Sequence, residues 1–195
     1  GLIFMNANHD HSVILEKITS FYPNISLIGC TTSGELSSTK GLLESSVLLV
    51  LFESNDLTFH SYIINSNVTN IHKQMENIQS DLKKNNDTIK LCICLPESLT
   101  NRQTAYIDLL EKSLWNTFPI IGGTSSDNGA FMKTFQFFNS TTYSDSIPLL
   151  FLCGKIHISF GNAGSWEPIT QQATIKKAKG NTVFSINKLT AIEYY

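Results

Sequence analysis

An internal repeat constrains the fold of this chain more than any other feature of its sequence. Residues 27–33 (LIGCTTS) match residues 120–126 (IIGGTSS), so that Gly29 and Gly122 are 93 residues apart. The helical segments before these blocks also match, because Leu-Glu-Lys occurs at 15–17 and again at 110–112. The period is too long for a solenoid of stacked repeats. We therefore predict a single domain over 1–195 with two related halves, about 1–66 and 88–168, and a tail of a hairpin and a helix start over 169–195.

The hydrophobic pattern of each half predicts a strand, a helix and further strands. Apolar runs at 2–6 and 89–95 predict buried strands, and the helix after each of them is stopped by Pro23 or Pro119. Residues 46–52 predict a fully buried strand, and 57–64 alternate like a paired strand. The connection between these two strands is too short for a parallel crossover, which disfavours a doubly wound α/β fold. The expected fold is α+β, with duplicated β-α-β-β-β units, mixed or antiparallel sheets, and helices on the outer faces.

Composition excludes several functional classes. The net charge is −2, which gives no broad electrostatic reason to expect nucleic acid or an anionic membrane as a partner. No run of about 18 apolar residues could span a bilayer. The four cysteines lie in or beside apolar strands without zinc-ligand spacing, which favours free thiols and a cytoplasmic location. The chain opens directly into a strand at Leu2, so we expect a fragment of a longer protein.

The loops that follow the repeated strands are the predicted ligand site. Glycine lets the backbone approach a ligand, hydroxyl groups donate and accept hydrogen bonds, and each loop carries one carboxylate. This chemistry suits a small zwitterion; the alternative is that both loops are only tight turns. The residues that we assign to the site are Gly29, Cys30, Thr31, Thr32, Gly34, Glu35, Gly122, Gly123, Thr124, Ser125, Ser126 and Asp127.

The alternative that the protein is an enzyme rests on Cys30 as a nucleophile. A thiol at a strand end, followed by backbone donors, can have a low pKa. The sequence offers no base that can be located beside it, and Gly123 holds the matching position in the second half. We therefore expect that the protein is not an enzyme.

Several motifs in order resemble the FIST family, the F-box and intracellular signal transduction domain, in its N-terminal half. Residues 28–35 (IGCTTSGE) resemble the family's first block, and residues 119–127 (PIIGGTSSD) resemble a later one. Residues 166–168 (WEP) and the segment from Lys177 to Ala191 follow in the same order. The second half of the family's pattern is absent from the chain.

The resemblance implies a sensory, ligand-binding domain of a bacterial signal transduction protein. Members of the FIST family are proposed to bind small molecules such as amino acids. The implied partners are a C-terminal FIST half and a signalling output domain or protein, such as a histidine kinase or a cyclic-di-nucleotide enzyme. Some members are haem proteins that sense nitric oxide, for which His157 or His60 would be the axial ligand here. A third alternative is a protein-interaction module without a small ligand, as in the eukaryotic branch that serves ubiquitin ligases.

Overall fold

The computed structural model contains short helices and several mixed or antiparallel sheets, which confirms the α+β prediction. The chain forms two compact units, Gly1–Ile158 and Ser159–Tyr195. The helices are α1 (His11–Phe21), α2 (Ile71–Lys84), α3 (Gln103–Ser113) and α4 (Ala191–Tyr194). The structure describes residues 1–65, 71–84, 88–100, 103–113, 118–164, 167–169 and 171–195, with only the backbone for 103–105.

The first unit is built on two sheets. The first sheet has the strand order β10-β9-β2-β1-β5, and the second has the order β6-β11-β7-β8. The strands, in chain order, are β1 (Leu2–Asn6), β2 (Ile28–Thr32), β3 (Glu35–Ser37), β4 (Gly41–Leu43), β5 (Val47–Val50), β6 (Leu57–Asn65), β7 (Ile89–Cys94), β8 (Ile120–Gly122), β9 (Gln136–Phe138), β10 (Thr141–Tyr143) and β11 (Ser146–Gly154). β3 and β4 pair with each other in a separate two-stranded ribbon.

Both sheets contain the same three-strand arrangement. β1 pairs in parallel with β2 and antiparallel with β5. β7 pairs in parallel with β8 and antiparallel with β11. In each case a helix, α1 or α3, connects the two parallel strands. The similarity agrees with the predicted duplication, which remains an inference from the sequence.

The two halves exchange strands. β9, from the second half of the sequence, pairs with β2, and β6, from the first half, pairs with β11 over nine residue pairs. Each sheet therefore contains at least one strand from the other half of the sequence. Both halves consequently contribute strands to each of the two sheets.

Three apolar layers hold the unit together. Leu2, Ile28 and Cys30 of the first sheet pack against Leu91, Leu150 and neighbouring residues of the second. The apolar residues of α2, Met75, Ile78 and Leu82, are buried on the outer face of the second sheet together with residues of α3. α1 covers the outer face of the first sheet through Leu15 and its neighbours. The helices therefore lie on the outer faces, as predicted.

The prediction of a fully buried strand at 46–52 is wrong. β5 is an edge strand, and Val47, Leu48, Leu51 and Phe52 are 38–45% exposed. An apolar run resembles a central strand in sequence, but here no strand of the described chain pairs with the second edge of β5.

The second unit contains a small three-stranded sheet, in the order β12-β13-β14, and ends in α4. Its strands are β12 (Ile175–Lys179), β13 (Thr182–Ile186) and β14 (Leu189–Thr190). The hairpin predicted in the tail is confirmed, with Gly180 at the turn in a left-handed conformation. Thr190 caps α4 in a capping box with Glu193, which accounts for the predicted helix start.

Candidate functional site

The two predicted loops meet at matched positions. The hydroxyl oxygens of Ser33 and Ser126 are 2.6 Å apart, and these residues occupy the same position in the sequence repeat. The backbone N–H of Ser126 also donates to the carbonyl of Thr31 at 2.8 Å. The structure therefore brings the two Gly-small-small loops together at one end of the first unit.

The side chains of the first loop are largely used by the protein itself. Cys30 lies in the core between the sheets, and the Thr31 hydroxyl accepts the backbone N–H of Phe135 at 3.1 Å. The buried Glu35 carboxylate accepts hydrogen bonds from the hydroxyls of Thr32 and Ser46. These contacts explain the order of the loop and leave its carboxylate enclosed.

Glycine is required at position 29 by close packing. A Cβ atom on Gly29 would lie 2.0 Å from the carbonyl oxygen of Ile3 in the neighbouring strand. The backbones of β1 and β2 therefore approach too closely for any side chain there. Gly34 is less constrained, since a Cβ would lie 3.1 Å from Leu42 Cδ1 and 3.1 Å from the Leu43 carbonyl oxygen. In the first loop these glycines serve packing.

Burial makes Cys30 unsuitable as a nucleophile. The side chain is 2% exposed, and burial raises the pKa of the Cys30 thiol to about 12. The thiolate is the reactive form of cysteine, and it would be rare at neutral pH. This disfavours the thiol-enzyme alternative.

The second loop is anchored by hydrogen bonds at Ser125 and exposed at Gly123 and Thr124. Ser125 is buried and donates to the Pro96 carbonyl through its backbone N–H at 2.9 Å and its hydroxyl at 3.3 Å. Gln136 also donates to the Ser125 hydroxyl at 2.9 Å. Gly123 and Thr124, by contrast, are exposed. A Cβ on Gly123 would meet nothing within 4 Å.

Asp127 organises the chain that follows the second loop. Its carboxylate accepts the backbone N–H groups of Phe131, Met132 and Lys133 at 2.7–3.0 Å. Partial desolvation raises the pKa of Asp127, but these backbone donors outweigh it and hold the pKa below its usual value. The carboxylate is therefore engaged by backbone and has a structural role.

A cavity of about 270 Å³ lies where the second loop leaves β8. It is at the carboxyl ends of the parallel strands β7 and β8, which is the edge where α/β proteins commonly bind ligands. Thr124, in the second loop, supplies a hydroxyl to the cavity wall, and Glu111, on α3, supplies a carboxylate. The cavity is lined by Cys94, Pro96, Ile107, Glu111, Ile120, Ile121, Gly122, Gly123 and Thr124.

The geometry divides the twelve sequence-predicted residues into two groups. Three of them, Gly122, Gly123 and Thr124, line the cavity. The remaining nine pack, cap or join the loops. Six lining residues were not expected from sequence: Cys94, Pro96, Ile107, Glu111, Ile120 and Ile121. Pro96 just after a buried strand, and Glu111 inside the repeated Leu-Glu-Lys, were the available signals.

The family resemblance suggested His157 or His60 as a haem ligand, and the structure places both residues in the first unit. His157 is exposed and borders a cleft whose other lining residues are Thr88, Lys90, Gly154, Lys155 and Ile156, with one apolar side chain among them. His60 lies on β6 opposite Phe151, on a strand that contacts α2. A haem macrocycle needs an extensive apolar enclosure beside its axial ligand. Among the described residues, no cluster of His, Cys, Asp or Glu has metal-binding geometry.

No helix among the described residues is both long and apolar enough to cross a membrane.

Comparison with known proteins identifies the family. The FIST N domain model matches residues 1–189. The chain is also 26% identical over 198 residues to the uncharacterized protein MJ1623 of Methanocaldococcus jannaschii; the match covers 93% of this chain and 36% of that protein. The chain thus spans about a third of this relative's length. Since the family model covers almost the whole chain, the protein belongs to the FIST family, whose domains are associated with signal transduction.

Proposed function

We propose that this domain is the sensory, small-molecule-binding part of a signal transduction protein, and that its ligand binds in the cavity between α3 and the carboxyl ends of β7 and β8. The observation that supports this most directly is the composition of the cavity wall. Ile107, Ile120 and Ile121 supply apolar surface, while Glu111 and Thr124 supply polar groups. A mostly apolar pocket with a few polar groups is the common form of a small-ligand site.

The lining chemistry fits an amino-acid-like ligand. The Glu111 carboxylate can accept hydrogen bonds from an ammonium group, and such charge-assisted bonds are stronger than neutral ones. The Thr124 hydroxyl can donate to a ligand carboxylate. Gly123 has no side chain between its backbone and the bound molecule. The isoleucines then favour an apolar ligand side chain, such as that of leucine or valine.

A thermal-shift screen with amino acids tests the proposal. A ligand at 100 times its dissociation constant stabilises the folded state by about 2.7 kcal/mol, which for a domain of this size raises the melting temperature by roughly 5–11 °C. Glu111→Gln should abolish the response to an ammonium-bearing ligand. Glu16→Gln is the matched control, because Glu16 holds the same repeat position on α1.

The ligand can be varied in parallel with the protein. The N-acetyl derivative of an active amino acid lacks the ammonium group and should give no shift. A full shift in Glu111→Gln, or an equal loss in Glu16→Gln, would exclude the proposed site. The signalling partners, including a C-terminal FIST half and a kinase or cyclic-di-nucleotide enzyme, belong to this proposal, as does a cytoplasmic setting.

A protein-interaction module is the second candidate, and the open edge of β5 favours it. Val47, Leu48, Leu51 and Phe52 expose apolar surface along one sheet edge, and exposed strand edges readily pair with another chain. Leu48→Lys should then abolish partner capture without changing the response to amino acids. Capture that is unchanged by this substitution would argue against this candidate.

A further inference from the structure

The β3–β4 ribbon leaves an apolar face uncovered. Leu36 and Leu42 stand directly opposite each other across the two strands, and they are 77% and 65% exposed. Two-stranded ribbons are at best marginally stable on their own. Their stability normally comes from packing an apolar face against another element, and the described residues provide no such element for this pair.

Hydrogen bonds identify the counterpart of this ribbon in the second half of the chain. In the first half, Glu35 accepts hydrogen bonds from Thr32 and Ser46. In the second half, Gln136 is bonded to Ser125 at 2.9 Å and to Ser146 at 3.2 Å. Thr32 and Ser125 are matched in the sequence repeat. Glu35 therefore corresponds to Gln136, and β3–β4 corresponds to β9–β10.

The counterpart ribbon is docked on a sheet. β9 pairs antiparallel with β2, with Phe137 opposite Gly29 and Phe138 opposite Ile28. Phe137 is fully buried and contacts His11 of α1, with ring centroids 5.0 Å apart. The place beside β2 is thus filled by a ribbon that inserts one large apolar side chain beneath the helix.

In the part of the chain that the structure describes, no strand occupies the equivalent place beside β8. β8 is the last strand of the second sheet, and the 270 Å³ cavity lies at this edge, beneath α3. Gly122, which lines the cavity, holds the repeat position of Gly29. The second sheet therefore has an unfilled strand position with a cavity below it, and the first half of the chain has an undocked ribbon with an apolar face.

We propose that the β3–β4 ribbon is a mobile plug that closes over this cavity by pairing antiparallel with β8. Transfer of the β2–β9 register places Leu36 opposite Gly122 and Ser37 opposite Ile121. The Leu36 side chain then enters the cavity, as Phe137 enters the core beneath α1. The structure described here is the open state of this exchange.

The plug gives ligand binding a conformational consequence. A molecule in the cavity excludes Leu36, so it binds only the open state and shifts the population towards it. This competition rests on the proposed function. Closure in ligand-free protein does not, because it requires only the ribbon, the cavity and the β8 edge.

Disulfide trapping tests closure without any ligand. Opposed residues of antiparallel strands have Cα atoms about 4.5–5.5 Å apart, which a disulfide can bridge. Ser37→Cys with Ile121→Cys should therefore form an intramolecular disulfide quantitatively under mild oxidation at neutral pH. The native cysteines Cys30, Cys92, Cys94 and Cys153 are all buried, so the introduced pair reacts first.

Controls separate the register from general mobility. Lys40→Cys with Ile121→Cys places the first thiol at the ribbon tip, out of the transferred register, and should cross-link at least tenfold more slowly. Adding Leu36→Asp to the Ser37–Ile121 pair should reduce the rate to that of this control, whereas adding Leu36→Met should preserve it. Circular dichroism spectra establish that each variant is folded.

Three results would overturn the proposal. They are the absence of a Ser37–Ile121 cross-link in folded protein, equal rates for the two cysteine pairs, and a cross-link found only between two molecules. The last would assign the β8 edge to a second copy of the chain. Each of these results can occur whether or not amino acids bind, so failure of the plug and failure of the sensor proposal can be told apart.

Discussion

Gly122 and Gly123 are adjacent in the candidate site but should respond in opposite ways to the same substitution. A Cβ on Gly122 would lie 1.8 Å from the carbonyl oxygen of Cys94, and the φ angle of Gly122 is +152°. A Cβ on Gly123 would meet nothing within 4 Å. Gly122→Ala should therefore destabilise the domain, and Gly123→Ala should not.

The magnitude for Gly122→Ala follows from two costs. Forcing an extra methyl group into tight packing costs typically about 1–3 kcal/mol, and here the obstacle is backbone of the paired strand, which cannot rotate away. Holding a residue other than glycine at this φ costs about 1–3 kcal/mol more. The sum is about 2–6 kcal/mol, or a decrease in melting temperature of roughly 4–24 °C at this chain length.

Gly123→Ala should change the free energy of unfolding by less than about 1 kcal/mol, with any change towards greater stability because the unfolded chain loses freedom. Its methyl group would extend towards the cavity. We therefore expect that Gly123→Ala weakens ligand binding without a loss of stability, whereas Gly122→Ala lowers the stability of the domain.

Urea unfolding followed by circular dichroism measures both variants, with the midpoint concentration as the readout. Gly29→Ala is an internal reference, since its Cβ would approach the Ile3 carbonyl oxygen to 2.0 Å at an unexceptional φ. It should lose about 1–3 kcal/mol. Equal midpoints for Gly122→Ala and the unmodified protein would refute the close approach of β7 and β8 that forms the cavity floor.

Two further predictions concern buried titratable groups. A pKa of about 12 keeps Cys30 protonated, so iodoacetamide at pH 7.5 should not alkylate it before unfolding; rapid selective modification detected by mass spectrometry would contradict this. Burial, helped by His9, lowers the pKa of His11 despite the opposing hydrogen bond to Asn6. The unfolded state then binds the proton more readily, so the free energy of unfolding should fall as pH decreases below about 6.5, until the folded-state pKa is passed. His11→Gln should reduce this dependence; an equal pH slope of the urea midpoint in the variant and the unmodified protein would be the contrary result.

Local structure was predictable from the sequence where one segment contains all the necessary information. Asp10 precedes an amphipathic segment, and it caps α1 by accepting the Val13 N–H. The stripe through Met75, Ile78 and Leu82 likewise specifies α2 and its buried face. Capping and periodicity depend on residues a few positions apart, so a single sequence is sufficient for them.

Strand pairing was not predictable in the same way. Val47 and Leu48 have the composition of a central strand, but they lie on a sheet edge. Only Gln136–Phe138 forms a strand in the apolar segment 131–138, because Asp127 holds the backbone of the residues before this strand in a loop. The pairing of β9 with β2 joins residues more than 100 positions apart, for which the local pattern contains no signal.

The candidate site was predictable only in part, for the same reason. The glycine and hydroxyl pattern located both loops, but it could not distinguish the loop covered by β9 from the one that borders an open edge. Glu111 was visible only as part of a repeated tripeptide, and its counterpart Glu16 carries the same sequence signal. Glu111 on α3 lines a cavity and Glu16 on α1 does not, because a ribbon from the other half of the chain covers the sheet edge beside α1 and no ribbon of the described chain covers the edge beside α3.

The contact between Ser33 and Ser126 connects the proposed binding site to the proposed plug. Ser126 follows the cavity-lining residues Gly123 and Thr124 with only the anchored Ser125 between them. Ser33 precedes Glu35, where the β3–β4 ribbon begins. Coupling between two sites requires an element with two arrangements whose equilibrium both sites influence. The ribbon is such an element. It begins two residues after Ser33, and in its closed arrangement it would cover the cavity, whose wall includes the residue two positions before Ser126. A ligand in the cavity would then change the exposure of Leu36 and Leu42, and this apolar surface is the signal that a partner could detect.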